Sequence, residues 1–132
     1  MNKEFVTYEI ALKLKELGFN EECLGYYHVN EGYTKGYAFC YSENSSNSDY
    51  SILAPLWQQV IDWFREKYKL LIDSPKLDEW NAGKWSVKLE SLDKKIILEE
   101  HVGQPYWRIY RGFDSYEKAR EQAILKAIEL CK

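Results

Sequence analysis

The segments of this chain that have the pattern of β-strands follow one another too closely to be parallel neighbours. Strand-like segments occupy 85–90, where apolar and polar residues alternate, 96–101 and 106–111, and only residues 91–95 and 102–105 separate them. A connection between parallel strands needs about a dozen residues or more. We therefore predict that these three strands form an antiparallel meander.

Three further segments carry apolar residues at the spacing of an α-helix. The first follows Thr7 as its N-cap and stops at Gly18, the second runs from Pro55 to Lys69, and the third follows the N-cap Ser115. Ser and Thr are favoured at N-caps because the side-chain oxygen accepts a hydrogen bond from a free backbone N–H group. The pattern therefore predicts three helices.

Two aromatic runs, 25–29 and 37–41, predict a β-hairpin with a long loop. Residues 70–73 predict one more short strand. A chain of 132 residues buries roughly two thirds of its surface around one core. We predict a single α+β domain over residues 1–132, with an antiparallel sheet packed against about three helices. Within it the Ser- and Asn-rich segment 43–51 is predicted to be a mobile loop, and a surface connection is favoured over a lid.

The residue composition favours binding over catalysis. The chain contains 5 Phe, 11 Tyr and 5 Trp residues but only 2 His and 3 Cys residues. Large aromatic faces suit packing and stacking. No phosphate-binding loop, zinc-ligand spacing or nucleophile motif is present, so we expect no cofactor, no metal and no enzymatic activity. The enzymatic alternative, a nuclease or hydrolase that uses Glu99, Glu100 and His101, is less favoured than a solvated strand face.

The overall charge argues against binding to long nucleic acids. Lys and Arg total 18 against 21 Asp and Glu, which gives a net charge of -3. A local basic patch can still hold a small anion, because the field near a cleft depends on the nearest charges. The sequence shows neither a secretory signal nor an apolar run of membrane-spanning length, so we expect a cytoplasmic protein that does not bind membranes.

The segment 106–111 is the strongest candidate binding region. Strand alternation predicts two sets of side chains on opposite faces: Trp107, Ile109 and Arg111 on one, and Tyr106, Arg108 and Tyr110 on the other. A guanidinium beside aromatic rings can pair with a phosphate while a ring stacks on a base. The simpler interpretation, which the pattern alone favours, is that one face fills the core and the Arg stems cover apolar surface.

Other residues complete the candidate site. Trp57 and Gln58 lie near a helix N-terminus, which favours anions, although core packing is the favoured role of Trp57. Tyr26 and its neighbour Tyr27 point to opposite faces of a strand, so only one of them can join a given pocket. The full set of candidate ligand-binding residues is Arg108, Arg111, Trp107, Tyr106, Trp57, Gln58, Tyr26 and His101.

Several segments resemble a known group of proteins. Residues 4–19, 22–27, 52–68 and 116–131 are similar to a family of small uncharacterised proteins from phages and prophages of gut Bacteroidales. The resemblance covers both ends and the central helix, whereas residues 74–113 are more individual. The matching segments consist mainly of helix caps and of apolar residues that are expected to fill the core. The resemblance therefore implies a shared fold more strongly than a shared activity.

A phage origin implies a role in the infected bacterial host. Small phage proteins without catalytic motifs include inhibitors of host defence, some of which trap cyclic or ADP-ribose-derived nucleotide signals. Aromatic stacking and Arg–phosphate pairing are the chemistry that such a trap needs. We therefore expect a small nucleotide-like ligand. The alternative is a protein-interaction module that uses exposed aromatics and the central helix to bind another protein or a second copy of itself.

Overall fold

The computed structural model describes residues 4–28, 51–98 and 105–132. Their helices and strands are α1 (Tyr8–Leu17), β1 (Gly25–His28), β2 (Ser51–Ala54), α2 (Trp57–Tyr68), β3 (Leu70–Ile72), β4 (Lys76–Leu77), β5 (Trp85–Ser91), β6 (Trp107–Phe113) and α3 (Tyr116–Leu130). Both sheets that they form are antiparallel. The predicted α+β class is confirmed. The chain forms two compact units, Met1–Val60 and Ile61–Lys132, and the prediction of one domain stays a prediction.

The first unit begins with a capped helix. The backbone of Thr7 is extended, and its hydroxyl oxygen accepts a hydrogen bond from the N–H of Ile10 at 3.3 Å. At the other end Gly18 has a φ of 101°, in the left-handed region that glycine adopts without a steric penalty. Both predicted ends of α1 are therefore confirmed, and its buried residues are Ile10, Ala11 and Leu14.

Strand β1 pairs with a segment that the sequence analysis did not assign to a strand. Gly25 lies opposite Ala54, and His28 lies opposite Ser51. The predicted second strand of the hairpin, 37–41, and residues 43–50 of the predicted loop lie outside the described residues, but Ser51 belongs to β2 and not to a loop. Residues 52–54 are all buried, so β2 lacks the polar alternation that marks a half-buried strand.

The start of α2 differs from the prediction. The helix begins at Trp57, whereas the sequence placed Pro55 in its first turn. The C=O of Pro55 accepts a hydrogen bond from the N–H of Val6 at 3.0 Å, and Leu56 forms an antiparallel bridge with Phe5. This pairing holds residues 55–56 in an extended conformation, so the helix starts after them.

The second unit is built around β5. Trp85 lies opposite both Leu77 and Phe113, so β4 and β6 flank opposite edges of β5. Leu89 likewise lies between Ile72 of β3 and Arg108 of β6. Strands β3 and β4 therefore occupy successive stretches of one edge, and β6 occupies the other.

The predicted antiparallel pairing is confirmed for the first and third strands of the meander, but the predicted middle strand is not confirmed. Of the predicted strand 96–101, residues 96–98 form no strand and the rest lies outside the described residues. Instead β6 pairs directly with β5, and the N–H of Ser91 continues the ladder by donating to the C=O of Tyr106 at 2.7 Å. The Ser91 hydroxyl also accepts from the N–H of Ile96, so residues 91–96 form a turn.

Helix α3 covers one face of this sheet. Its N-cap Ser115 accepts a hydrogen bond from the N–H of Lys118 at 3.0 Å, as predicted. The helix contacts β3, β5 and β6. Its small side chains allow close approach, and its buried residues are Ala119, Ala123, Ile124, Ala127 and Ile128. The strand residues buried on the facing side include Leu70, Ile72, Val87 and Leu89.

We predict that replacing Tyr27 with Phe destabilises the protein. The Tyr27 hydroxyl is buried and donates a hydrogen bond to the C=O of Val6 at 2.6 Å, so its removal leaves a buried acceptor without a partner. The expected loss is about 1–3 kcal/mol in the free energy of unfolding, measured by urea denaturation. Tyr8→Phe is the matched control, because the Tyr8 ring packs edge-to-face on Tyr27 at 5.5 Å and would stay in place. Equal losses in both variants would contradict this assignment.

A second prediction concerns the thiols of Cys23, which is buried, and Cys131, which is half-buried. Burial raises the pKa of Cys23 to about 12, against a weaker lowering by its hydrogen bond with Gln59, and burial raises the pKa of Cys131 to about 11. Iodoacetamide at pH 8 should therefore modify Cys23 roughly a thousandfold more slowly than in the urea-unfolded chain, with Cys131 intermediate. Peptide mass spectrometry measures these rates. Because the folded pKa values exceed the unfolded ones, this contribution to stability is complete below pH 9 and falls as the pH rises towards 12.

Candidate functional site

A cavity of about 250 Å³ lies between β6 and α3 in the second unit. We call it the β6–α3 cavity. Strand and helix contribute equally to its lining, which consists of Arg108, Tyr110 and Phe113 from β6 and Gln122, Ala123 and Lys126 from α3.

Register and periodicity explain why these residues meet. Arg108 lies opposite Leu89 and Tyr110 lies opposite Val87, and both partners are buried on the side of the sheet that α3 covers. Side chains directly opposite each other on neighbouring strands share a face. On α3 the spacing from Gln122 to Lys126 is one helical turn, so both residues lie on the same side.

Two cations approach the same aromatic ring in this cavity. The guanidinium carbon of Arg108 lies 5.2 Å from the centre of the Tyr110 ring, and Nζ of Lys126 lies 6.0 Å from it. Each contact of this kind stabilises by about 0.5–1 kcal/mol where it is partly exposed. Lys126 also lies 3.8 Å from a carboxylate oxygen of Glu129, which is largely exposed. The cavity thus combines two positive groups, the aromatic rings of Tyr110 and Phe113, and the neutral amide of Gln122.

The other face of β6 has a different character. Nζ of Lys88 lies 5.1 Å from the centre of the Trp107 ring. Nη1 of Arg111 donates a hydrogen bond to Oδ1 of Asp78 at 2.8 Å, and the Asp78 side chain is fully buried. Arg111 therefore neutralises a buried carboxylate, whereas Arg108 lines the cavity on the opposite face. The predicted alternation of the two sets is observed, but it separates the two Arg residues.

Three described residues of the predicted set belong to the other unit, and Tyr106 is not part of the cavity lining. Tyr106 is half-buried, and Nζ of Lys94 lies 5.7 Å from the centre of its ring. Tyr26, Trp57 and Gln58 belong to the first unit, where Trp57 is buried and Gln58 is exposed. His101 lies outside the described residues. The second unit by itself therefore brings only Arg108 of the predicted set into the cavity.

Sequence reasoning missed the residues that α3 contributes. Gln122 and Lys126 flank the buried Ala123 and Ala127, and a polar residue beside a small-residue stripe is ordinarily solvated. In the sequence, the only indication that Gln122 and Lys126 share a face was their spacing of one helical turn beside Ala123 and Ala127. Which strand residues they face depends on how α3 lies across the sheet, and local periodicity does not encode that.

Comparisons of the chain with models of protein families, with curated proteins and with solved structures give no match. Within residues 4–28, 51–98 and 105–132, no three His, Cys, Asp or Glu side chains are grouped so that they could hold a metal ion. None of the helices in that part of the chain is long and apolar enough to cross a membrane. The functional interpretation therefore rests on the residues of the cavity.

We predict that Arg111 and Asp78 are energetically coupled. Arg111→Ala would leave a fully buried carboxylate without its cation, so the variant should be destabilised even though the Arg111 side chain is 45% exposed. A double-mutant cycle with Asp78→Ala should give a coupling free energy of about 1–2 kcal/mol by chemical denaturation. The exposed pair Lys84–Asp114 is the control and should show much weaker coupling. Additive effects of the Arg111 and Asp78 substitutions would contradict the prediction.

Proposed function

We propose that this protein binds a small, flat, anionic ligand of the nucleotide class in the β6–α3 cavity and holds it without chemical conversion. The observation that carries the proposal is the convergence of Arg108, Lys126 and the Tyr110 ring on one cavity. A cation pair attracts a phosphate or carboxylate, and an adjacent ring favours a ligand with a flat face.

Four of the lining residues have distinct roles in this proposal. The planar guanidinium of Arg108 can donate two parallel hydrogen bonds to a phosphate, whereas the Lys126 ammonium acts as a point charge. Tyr110 offers its ring for stacking, and the Gln122 amide can both donate to and accept from the edge of a base. These groups supply charge, shape and hydrogen-bond specificity within one site.

The cavity volume restricts the ligand size. About 250 Å³ is slightly below the roughly 300–1,000 Å³ typical of small-molecule sites. It suits one phosphate with one ring better than an enclosed dinucleotide. A cyclic mononucleotide fits this description, as does one end of an ADP-ribose derivative.

The finer proposal is sequestration of a nucleotide-derived immune signal. A phage protein in the cytoplasm of the infected host would lower the free concentration of such a signal by binding it and would thereby counter anti-phage defence. The resemblance of residues 4–9, 52–57 and 116–120 to phage and prophage proteins supports this role, together with the anion-binding chemistry of the cavity.

The direct test is a thermal-shift and calorimetric titration with adenosine monophosphate, cyclic mononucleotides, cyclic dinucleotides and ADP-ribose. Binding to the folded state raises its stability by about 2.7 kcal/mol at a hundredfold excess over Kd. Mass spectrometry of the ligand released on heating then shows whether it is intact. An altered ligand would contradict sequestration and indicate an enzyme.

We predict that Arg108→Ala and Lys126→Ala each weaken the binding of whichever nucleotide of this panel binds the wild-type protein. The expected loss is about 10- to 100-fold, because each substitution removes a charge-assisted contact. Arg108→Lys should restore part of the loss, since it keeps the charge but not the paired donors. Lys118→Ala is the matched control, because Lys118 is exposed on the same helix and does not line the cavity. Unchanged affinity in both Ala variants, or no binding across the panel, would overturn the proposal.

A further inference from the structure

The connection between β4 and β5, residues 78–84, holds a Trp side chain in solvent. Trp80 is 83% exposed, and Leu77, three residues earlier, is 63% exposed. Most exposed apolar residues are single and need no explanation. Here two large ones lie within four consecutive residues and form part of one surface. Trp is also the residue type most enriched among those that dominate binding energy at protein interfaces.

The backbone that carries Trp80 is firmly fixed. Oδ1 of the buried Asp78 accepts hydrogen bonds from the N–H of Trp80 at 2.9 Å and from Arg111 at 2.8 Å. The N–H of Asp78 donates to the C=O of Lys84 at 2.9 Å, and Gly83 turns the chain with a φ of 79°. A segment whose backbone is ordered before binding loses little backbone freedom when a partner arrives. The loop therefore holds the Trp80 backbone in place and leaves its side chain exposed.

A hollow of about 210 Å³ lies directly beside this indole. Its lining is mixed: Leu77, Trp80 and Ile109 contribute apolar surface, and the polar residues are Lys76, Glu79, Ser86 and Arg111. It opens on the face of the sheet opposite the β6–α3 cavity, because Ile109 alternates with Arg108 and Tyr110 along β6. An indole ring is of a size that this hollow accommodates.

The charges on the rim are self-complementary. Lys76 and Glu79 both line the hollow and are both exposed. Within the described part of the chain, neither takes part in an ion pair. In a two-fold symmetric pair, each residue contact occurs twice in reciprocal form. If Lys76 of one copy contacts Glu79 of the second, the symmetry therefore supplies the reciprocal contact as well.

We propose that this surface pairs two copies of the chain, with the Trp80 indole of each copy seated in the hollow of the other. Lys76 and Glu79 form reciprocal ion pairs at the rim of the contact. A second copy is favoured over a different partner because the projecting group, the receiving hollow and both rim charges all occur on the same surface. This pairing leaves the β6–α3 cavity on the opposite face available.

Sedimentation velocity over a concentration series tests the pairing. The wild-type protein should shift from the monomer mass to twice that mass as its concentration rises, and Trp80→Ala should weaken dimerisation by about 100-fold. Ile97→Ala removes a side chain that is 64% exposed elsewhere in the same unit, and it should dimerise as the wild type does. Arg108→Ala should also dimerise normally, which separates this inference from the proposed ligand site.

A charge exchange tests the reciprocal contact. Lys76→Glu and Glu79→Lys should each weaken dimerisation by at least about fivefold, because each places like charges together, and the double variant should restore it. A wild-type protein that is monomeric at every concentration would overturn the proposal, even if a host protein were retained through Trp80. A Trp80→Ala variant that dimerises normally, or a double variant that does not recover, would also overturn it.

Discussion

The antiparallel pairing of β5 with β6 is the contact on which both proposed sites depend. It fixes the register Leu89–Arg108 and Val87–Tyr110, and this register directs the side chains of Arg108 and Tyr110 towards α3. The same register directs alternate residues of β6 to the other face, where Ile109 lines the hollow beside Trp80. Because the side-chain period of a strand is two, a slip of one residue would exchange the two faces. Such a slip would direct Ile109 towards α3 and would move Arg108 and Tyr110 to the opposite face.

The two Arg residues of β6 show how position on a strand decides what a charge does. Arg108 lies beside an aromatic ring and a Lys in a cavity, where its hydrogen-bond donors can meet an anionic ligand. Three residues further on, Arg111 pairs with the buried carboxylate of Asp78, which also orders the loop that carries Trp80. The cost of burying an unpaired carboxylate makes this partnership structural. The same residue type thus serves a candidate ligand site on one face and a loop anchor on the other.

Local patterns predicted much of the fold, because caps and periodicity depend on short-range interactions. Thr7, Gly18 and Ser115 mark helix ends in the structure as they do in the sequence, and β5 and β6 were recognised from alternation. The failures have tertiary causes. Strand β2 is buried throughout and lacks alternation, and Pro55 is drawn into extended pairing with Val6. The apolar run at 96–98 has the composition of a strand, but β6 pairs with the edge of β5 at which this run was expected. Ile97 is exposed.

The sequence by itself determined the α+β class, the antiparallel arrangement and the alternation of Arg and aromatic residues along β6, since each follows from interactions among near neighbours in the chain. Only the tertiary structure decided which face of β6 meets α3, and hence that Arg108 is joined by Gln122 and Lys126 whereas Arg111 is joined by Asp78. Those partners are distant in sequence. Their meeting depends on how a helix and a loop pack on the sheet, and that packing is set by the burial of the whole core.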